Sequence, residues 1–253
     1  MHPILFEWGQ FHLYSYGFSI ALGVLSVFYL MQKAALKDGF PTTDQVYDAV
    51  FISVLTGFVG ARLFYAVQHA SEFSGNILSI FAIWQGGLIF YGGLAAGFLS
   101  LWCYSRWHGL SFLRLMDFIL PYGALVHAFG RVGCFLNGCC YGKSSHLPWA
   151  VLFPGLSHAV HPSQLYEAVY NLMVFLILKE IYRRKPGKGN VTAFYLILYG
   201  LGRFIIENYR VGNPGWLITW NQWISLSIIS AGVILYKILE IERNSNGVKE
   251  KRL

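Results

Sequence analysis

The sequence predicts an all-α polytopic membrane protein with seven transmembrane helices, a small external head loop and a short re-entrant or interfacial segment. Of its 253 residues, 55% are hydrophobic and 12% are charged, about half the ~25% charged residues of a soluble domain. Aromatic residues make up 17%, which is typical of chains with aromatic belts at two membrane interfaces. No cleavable signal peptide, internal repeat or soluble domain is evident, so we expect residues 1–253 to form a single membrane domain.

Long uncharged runs locate the seven predicted spans. Each run, with its flanks, is long enough to cross a hydrocarbon core of about 30 Å. The predicted spans are residues 14–32, 46–68, 86–105, 115–130, 163–181, 191–209 and 214–236. The run Asn76–Trp84 is apolar but too short to cross a membrane, so we predict that it is re-entrant or interfacial.

The external head loop is predicted at residues 131–161, and the glycine-rich segment Gly130–Gly142 leads into it. This segment holds four glycines, three cysteines and one arginine. Glycines at this density let the backbone adopt positive φ and let another group approach closely. We therefore expect an irregular segment that carries a fixed positive charge, a combination that indicates a binding site.

The distribution of basic residues predicts the orientation in the membrane. Fourteen of the 19 Lys and Arg residues lie in the loops Lys33–Lys37, Arg106–Arg114 and Lys179–Lys188 or in the tail after Tyr236. Cytoplasmic loops carry such an excess, so we place the carboxy terminus in the cytoplasm and the amino terminus outside. The net charge of +7 is then explained by topology, and no nucleic-acid surface is expected. The five remaining basic residues lie at or near the outer ends of spans, or beyond them: Arg62, Arg131, Lys143, Arg203 and Arg210.

Three charged residues of the sixth span form the first candidate site. Arg203, Glu207 and Arg210 occur at i, i+4 and i+7, which places them on one face of a helix. Charges within a span usually face the bundle interior and mark a functional pathway. They form either a structural Arg–Glu pair or, together with Arg131 at the same depth, a phosphate-binding fork, because guanidinium binds phosphate bidentately.

The other candidates each have a functional and a structural interpretation. Arg62 either joins the arginines or extends to the membrane interface. Tyr16, Tyr91 and Tyr199 lie at the outer depth, either as site residues or as belt aromatics. Three residues begin the fifth helix, where capping and surface packing are the simpler explanation: His161, Gln164 and Glu167.

Three motifs, in order along the chain, resemble the prolipoprotein diacylglyceryl transferases. They are Gly130-Arg131-x-Gly-x-Phe-x-Asn137-Gly138-x-x-x-Gly142, His161-Pro-Ser-Gln-Leu-Tyr-Glu167 and Tyr199-Gly-x-x-Arg203-x-x-x-Glu207-x-x-Arg210. Tyr16-Gly17 and Gly60-Ala-Arg62-Leu are similar too, so the likeness spans most of the chain. The seven spans, the outward amino terminus and the external head loop also agree with that family.

The resemblance implies transfer of the diacylglyceryl group of phosphatidylglycerol to the lipobox cysteine thiol of a prolipoprotein signal peptide. The reaction forms a thioether and releases glycerol phosphate in the bacterial cytoplasmic (inner) membrane, with no metal or cofactor. Arg131 would contact phosphatidylglycerol, and Arg203 would be a second essential arginine. The predicted catalytic residues are Arg131, Arg203, Glu207, Tyr91 and Tyr199. The predicted substrate-binding residues are Arg131, Tyr16, Arg62, Asn137, Gly142, Arg210, His161 and Gln164.

Three positions depart from the family pattern. Tyr91 stands where a histidine proposed as a base is usual, Cys134 where asparagine is usual, and Cys139 where glutamate is usual. The residues of the lipid-binding part therefore match the family pattern. How the acceptor is activated, and which acceptor it is, stay open. A cysteine that attacked the glyceryl carbon would form a thioether, which is too poor a leaving group to pass the lipid on. We therefore expect structural cysteines, with a disulfide from Cys134 to Cys139 or Cys140 as one arrangement.

Two other functions fit parts of the pattern. An acyltransferase would use one of Cys134, Cys139 or Cys140 as its nucleophile. A lipid or anion transporter would bind through the arginines without reaction. Transporters often carry internal repeats and broken helices in both halves, and no such symmetry is visible here.

Overall fold

The computed structural model describes residues 3–8, 11–73, 75, 77–81, 87–210 and 218–250. In this part of the chain, seven α-helices follow a two-stranded hairpin. The strands are β1 (Ile4–Trp8) and β2 (Phe11–Tyr14). The helices are α1 (Ser15–Asp38), α2 (Thr43–Gln68), α3 (Phe90–Trp107), α4 (Phe112–Asn137), α5 (Ser163–Arg183), α6 (Asn190–Glu207) and α7 (Trp220–Glu250).

Four helices of the described chain are long and apolar enough to cross a membrane. They are α1, α2, α4 and the part of α7 from Trp220 to Ser245. The helical prediction is therefore confirmed, and the finer prediction of seven spans stays a prediction. The predicted short segment at Asn76–Trp84 contains a 3₁₀-helix at Ile77–Phe81, and its other residues lie outside the described ranges.

The hairpin before α1 is a feature that the all-α prediction does not include. β1 and β2 pair antiparallel, with Glu7 opposite His12 and an irregularity between Ile4 and Phe6. The backbone N–H of Ser15 donates to the carbonyl of Pro3 at 2.9 Å, which joins the hairpin to the start of α1. Aromatic and β-branched residues such as Ile4 and Phe6 favour strands, and they lack the helical period that the apolar spans show.

Residues of the chain cluster into two compact units. One consists of Met1–Tyr29 and Met116–Leu253, and the other of Leu30–Leu115. In the second unit α2 and α3 pack closely at Gly60 and Gly92, where a Cβ on Gly60 would lie 2.7 Å from the carbonyl oxygen of Gly92. The arginine cluster described below lies entirely in the first unit.

Asp117 of α4 connects that helix to the start of α6 in the first unit. Its carboxylate accepts the backbone N–H of Gly189 at 2.6 Å and that of Thr192 at 2.7 Å. The hydroxyl of Thr192 donates to the same side chain at 2.7 Å. The first N–H groups of a helix have no partner within it, so an acidic side chain there satisfies them and complements the helix dipole.

The helix α4 continues through most of the glycine-rich segment. We expected irregular backbone from Gly130, but α4 ends at Asn137, and positive φ occurs only later, at Gly138 and Cys140. Packing accounts for the difference: a Cβ on Gly133 would lie 3.1 Å from that of Ser19 and 3.3 Å from the backbone of Tyr16. Here glycine permits close helix contact rather than a turn, so the contact offsets the entropic cost of glycine in a helix.

Candidate active site

The side chain of Glu167 lies at the centre of a cluster of three arginines. Its Oε2 is 2.6 Å from Nε of Arg131 on α4. Its Oε1 is 3.3 Å from Nη1 of Arg203 on α6 and 2.8 Å from Nη1 of Arg210. Glu167 itself belongs to the first turns of α5, so one carboxylate gathers guanidinium groups from separate parts of the chain.

A second buried carboxylate, Glu207, supports the same arginines. Its Oε2 lies 2.9 Å from Nη2 of Arg203 and 3.9 Å from Nε of Arg210. Its Oε1 accepts a hydrogen bond from Nδ2 of Asn221 on α7 at 2.7 Å. A buried charge is costly unless it is paired and hydrogen-bonded, and both carboxylates meet that condition.

The exposure of the cluster is asymmetric. The two glutamate side chains are 2–3% exposed, whereas the three arginine side chains are 18–21% exposed. Three positive and two negative charges leave one positive charge, and each guanidinium carries five N–H donors. The arginines therefore keep donors that a partly exposed anion can reach, while the glutamates hold them in place.

A histidine joins the cluster from α4. Nε of Arg131 donates to Nε2 of His127 at 3.2 Å, and the same imidazole nitrogen is 3.8 Å from Oε2 of Glu167. An Nε2 that accepts a hydrogen bond belongs to a neutral ring with its proton on Nδ1, as assigned from this network. The ring of Tyr199 on α6 lies 6.0 Å from that of His127, which places this predicted catalytic tyrosine beside the cluster.

The sequence-based placement of Arg210 on the sixth helix is wrong. α6 ends at Glu207, and Arg210 follows a turn, because its backbone instead pairs with Gly142 in an isolated β-bridge. The N–H of Lys143 donates to the carbonyl of Tyr209 at 2.9 Å. A Cβ on Gly142 would collide with that same carbonyl oxygen, which explains glycine at this position.

The start of α5 holds the chain after α4. Nε2 of Gln164 donates to the carbonyl of Cys139 at 2.6 Å, and the hydroxyl of Ser163 donates to the carbonyl of Cys140 at 3.1 Å. Both side chains are buried. His161 instead forms a hydrogen bond between its Nδ1 and the hydroxyl oxygen of Tyr166, at 3.1 Å. The predicted substrate-binding residues Gln164 and His161 thus have internal partners.

The three clustered cysteines are free. The disulfide considered from Cys134 to Cys139 or Cys140 is therefore not formed, and Sγ of Cys140 lies 3.5 Å from Sγ of Cys139. A hydrogen bond from the Cys134 thiol lowers the pKa of the Cys140 thiol to about 5. Arg131 and Arg210 act in the same direction, since their positive charges favour the thiolate.

Two further predicted residues lie near the thiols. Tyr16, at the start of α1, packs against Gly133, and its hydroxyl interacts electrostatically with the thiols and with Arg131. Asn137 is the last residue of α4, and its side chain is hydrogen-bonded to that of Cys139. Both residues are exposed.

Two predicted site residues belong to the other unit. Arg62 is buried and donates from Nε to the carbonyl of Ile80 at 2.7 Å and from Nη2 to that of Ser79 at 2.9 Å. These carbonyls belong to the predicted re-entrant or interfacial segment, and both interpretations of Arg62 stay open. Tyr91 lies in the first turn of α3 and is exposed.

Sequence reasoning assigned Glu167 to capping and packing and did not consider His127. A signal for Glu167 was present, because Gln164, Glu167 and Asn171 occur at i, i+3 and i+7 and form a buried polar stripe on one face of α5. His127 stands four residues before Arg131, which is the spacing of neighbours on a helix surface. Neither signal reveals that His127 and the three arginines meet at the carboxylate of Glu167.

Comparison with known proteins gives consistent results. The family described as prolipoprotein diacylglyceryl transferase matches residues 3–238. The phosphatidylglycerol–prolipoprotein diacylglyceryl transferase of Clostridium tetani is 33% identical over 246 residues, covering 94% of this chain and 98% of the relative. That of Methylococcus capsulatus is 34% identical, covering 92% and 93%. That of Streptococcus equi subsp. zooepidemicus is 35% identical, covering 94% and 95%.

Proposed function

The chain belongs to the prolipoprotein diacylglyceryl transferase family, and on that basis we propose that it transfers the diacylglyceryl group of phosphatidylglycerol to a prolipoprotein. The acceptor is the thiol of a lipobox cysteine. Its sulfur forms a bond to the glyceryl carbon while the bond from that carbon to the phosphate oxygen breaks. The electron pair of that bond leaves on the phosphate, which departs as glycerol phosphate.

The observation that carries this proposal is the arginine cluster around Glu167. Negative charge develops on the leaving phosphate oxygen as the carbon–oxygen bond breaks. Arg131, Arg203 and Arg210 are held by buried carboxylates at 2.6–3.3 Å and remain partly exposed. Donors that are fixed before the reaction stabilise a developing charge without reorganising. Guanidinium also keeps its charge at any physiological pH.

We propose the residue roles that the sequence motifs and their family resemblance imply. Arg131 contacts the phosphate of phosphatidylglycerol, Arg203 is the second essential arginine, and Glu207 positions it. Tyr91 and Tyr199 complete the proposed catalytic set. The remaining proposed substrate-binding residues are Tyr16, Arg62, Asn137, Gly142, Arg210, His161 and Gln164.

We propose seven membrane spans, with α3, α5 and α6 added to the four helices that are apolar enough by composition. Buried polar residues such as Glu167, Asn171 and Glu207 lower the hydropathy of α5 and α6, and charges that face a protein interior are tolerated in a bilayer. The protein then lies in the bacterial cytoplasmic membrane with its amino terminus outside. Phosphatidylglycerol enters from the bilayer, and the signal peptide from the outer face.

A reconstituted assay tests the proposal. Purified protein is mixed with phosphatidylglycerol labelled in its acyl chains and a lipobox peptide, and a peptide with serine in place of the cysteine is the control. We expect a labelled thioether that resists hydroxylamine, together with free glycerol phosphate. A hydroxylamine-sensitive product would indicate acyl transfer instead, and binding of the lipid without any product would indicate a transporter.

A further inference from the structure

Three thiols that the proposed arginine site does not use lie close together. The Sγ atoms of Cys134, Cys139 and Cys140 all lie within 4.8 Å of one another. A disulfide would join two of these sulfurs and leave the third unused. Three convergent sulfurs are instead a donor set that soft and borderline metal ions prefer.

The backbone that brings the sulfurs together is held in place from α5. Cys140 has φ of +66°, a conformation that residues with side chains rarely adopt and that surrounding structure must maintain. The buried side chains of Gln164 and Ser163 supply that structure, since they donate to the carbonyls of Cys139 and Cys140. The N–H of Cys139 also donates to the carbonyl of Cys134 at 3.1 Å. Hydrogen bonds to the backbone of the cysteines therefore position the three sulfurs, and these bonds do not involve the thiol groups.

The spacing fits a tetrahedral zinc ion. With a zinc–sulfur distance of about 2.3 Å, two ligand sulfurs lie about 3.8 Å apart. The sulfurs of Cys139 and Cys140 are 3.5 Å apart, and no pair exceeds 4.8 Å. Side-chain rotations that move a sulfur by about 1 Å would bring the pairs to the spacing around a zinc ion. Cys140 is exposed whereas Cys134 is half-buried, so a further ligand can reach the ion.

We propose that Cys134, Cys139 and Cys140 bind one Zn²⁺ as thiolates and that its open fourth position receives the acceptor thiolate of the lipid transfer. The inference rests on the proposed function and replaces the expectations of a metal-free site and of a disulfide. Catalytic zinc sites have three protein ligands and one open position, whereas structural sites are closed. Three thiolates and Zn²⁺ carry one negative charge in total, which complements the single excess positive charge of the arginine cluster.

The proposed zinc supplies the step that a thiol acceptor needs. A free cysteine has a pKa of about 8.5 and is mostly protonated at neutral pH, whereas a thiol bound to zinc is deprotonated. The acceptor's proton passes to solvent when its sulfur binds. The sulfur then bonds to the glyceryl carbon, and the electron pair of the broken carbon–oxygen bond leaves with glycerol phosphate. The product is a neutral thioether, a weaker ligand that dissociates from the ion.

This role also avoids the chemical objection to a cysteine nucleophile. A protein cysteine alkylated by the lipid would be a dead end, because a thioether does not pass its alkyl group on. As zinc ligands, the three cysteines never form a carbon–sulfur bond to the substrate. Only the acceptor sulfur does so, and it leaves with the product.

The first test measures metal directly in the full-length protein, purified in detergent with a reductant that is not a thiol. We expect about one zinc per chain, as a three-cysteine site predicts, in the wild type and in Cys103→Ser, whose cysteine lies on α3. Cys134→Ser and Cys140→Ser should lose the zinc. Replacement of zinc by Co²⁺ should give the near-ultraviolet charge-transfer band of cobalt thiolate. Reduced wild-type protein without metal, or a disulfide found by mass spectrometry, would overturn the proposal.

The second test asks whether the fourth position takes the acceptor. A lipobox peptide should shift the visible spectrum of the Co²⁺ protein, and the same peptide with serine should not. Cys140→Ser should lose about 30-fold in transfer rate at pH 7, because a free thiol with a pKa of about 8.5 is only about 3% ionised there. The deficit should narrow about tenfold per pH unit towards pH 8.5, as the acceptor thiol ionises without zinc.

The outcomes separate this inference from the proposed function. Zinc-free protein that transfers lipid at the wild-type rate would refute the inference and leave the transferase intact. A visible Co²⁺ spectrum that does not shift when the cysteine peptide is added would also refute the inference. Protein that binds zinc and the peptide thiol but releases no glycerol phosphate would refute the transferase and leave the metal site standing.

Discussion

Oε2 of Glu167 lies 2.6 Å from Nε of Arg131, so the first turns of α5 place a buried negative charge beside an arginine of α4. This is a close ion pair, and the single Nε–H of Arg131 donates to Nε2 of His127. The same carboxylate also contacts Arg203 and Arg210. Its removal would leave three guanidinium groups close together with a single carboxylate, Glu207, to oppose them.

We therefore expect Glu167→Gln to destabilise the protein. Loss of one partner from a buried ion pair costs roughly 3–5 kcal/mol, and the melting temperature in detergent measures the effect. Glu180→Gln is the matched control on the same helix, because its exposed carboxylate pairs with Arg183 and Arg184 near the end of α5. The control should melt with the wild type. An unchanged melting temperature for Glu167→Gln would mean that the arginines are solvated rather than held by the carboxylate.

The arginines should be more important for rate than for folding. We expect Arg203→Lys and Arg131→Lys each to lose about 10²-fold or more in transfer rate, roughly 2.7 kcal/mol of transition-state stabilisation. Lysine keeps the charge but has no planar fork of donors. Transfer measured with saturating peptide gives the rate, and Arg183→Lys at the exposed end of α5 is the control. Full activity in Arg203→Lys would reduce Arg203 to a structural role.

The proposed topology is tested by labelling from outside the cell. In a variant with all four cysteines replaced by serine, Ser157→Cys in the head loop should react with an impermeant thiol reagent. Lys188→Cys, in the loop between α5 and α6, should react only after the cells are opened. Both positions are exposed, so burial does not explain a difference. The opposite pattern would place the arginine cluster on the cytoplasmic side.

Asp117 gives a prediction about stability alone. Asp117→Ala removes three hydrogen bonds at the start of α6. Loss of a side chain that caps a helix costs about 0.5–2 kcal/mol, and burial of the unpaired N–H groups moves the cost towards the upper end. Thermal unfolding measures it, with Asp38→Ala at the exposed end of α1 as the control. Equal melting temperatures would show that water replaces the carboxylate.

The sequence predicted the helices well because apolar runs and their charged flanks are local signals. It failed at the end of α4, where Gly130 and Gly133 read as turn residues. Their helical conformation depends on close contact with Ile20 and Ser19 of α1, which are more than a hundred positions away along the chain. A local pattern cannot register such a contact.

The arginines of the candidate site were predictable, but their arrangement was not. Arg131, Arg203 and Arg210 are rare charges in apolar surroundings, so sequence alone singled them out. Glu167 was assigned to capping and packing because it begins a helix, where acidic residues are common. Only the structure brings α4, α5 and the end of α6 to one carboxylate.

The buried carboxylate of Glu167 has a consequence for turnover under the proposed function. Three arginines without an internal counterion would bind a phosphate dianion tightly. Release of the product would then leave three unpaired positive charges in a partly buried site. Glu167 offsets part of the positive charge of the cluster, so under the proposed function it should weaken the hold on the headgroup and ease the departure of glycerol phosphate. Under the proposed function, we therefore expect the carboxylate of Glu167 to lessen inhibition by the product.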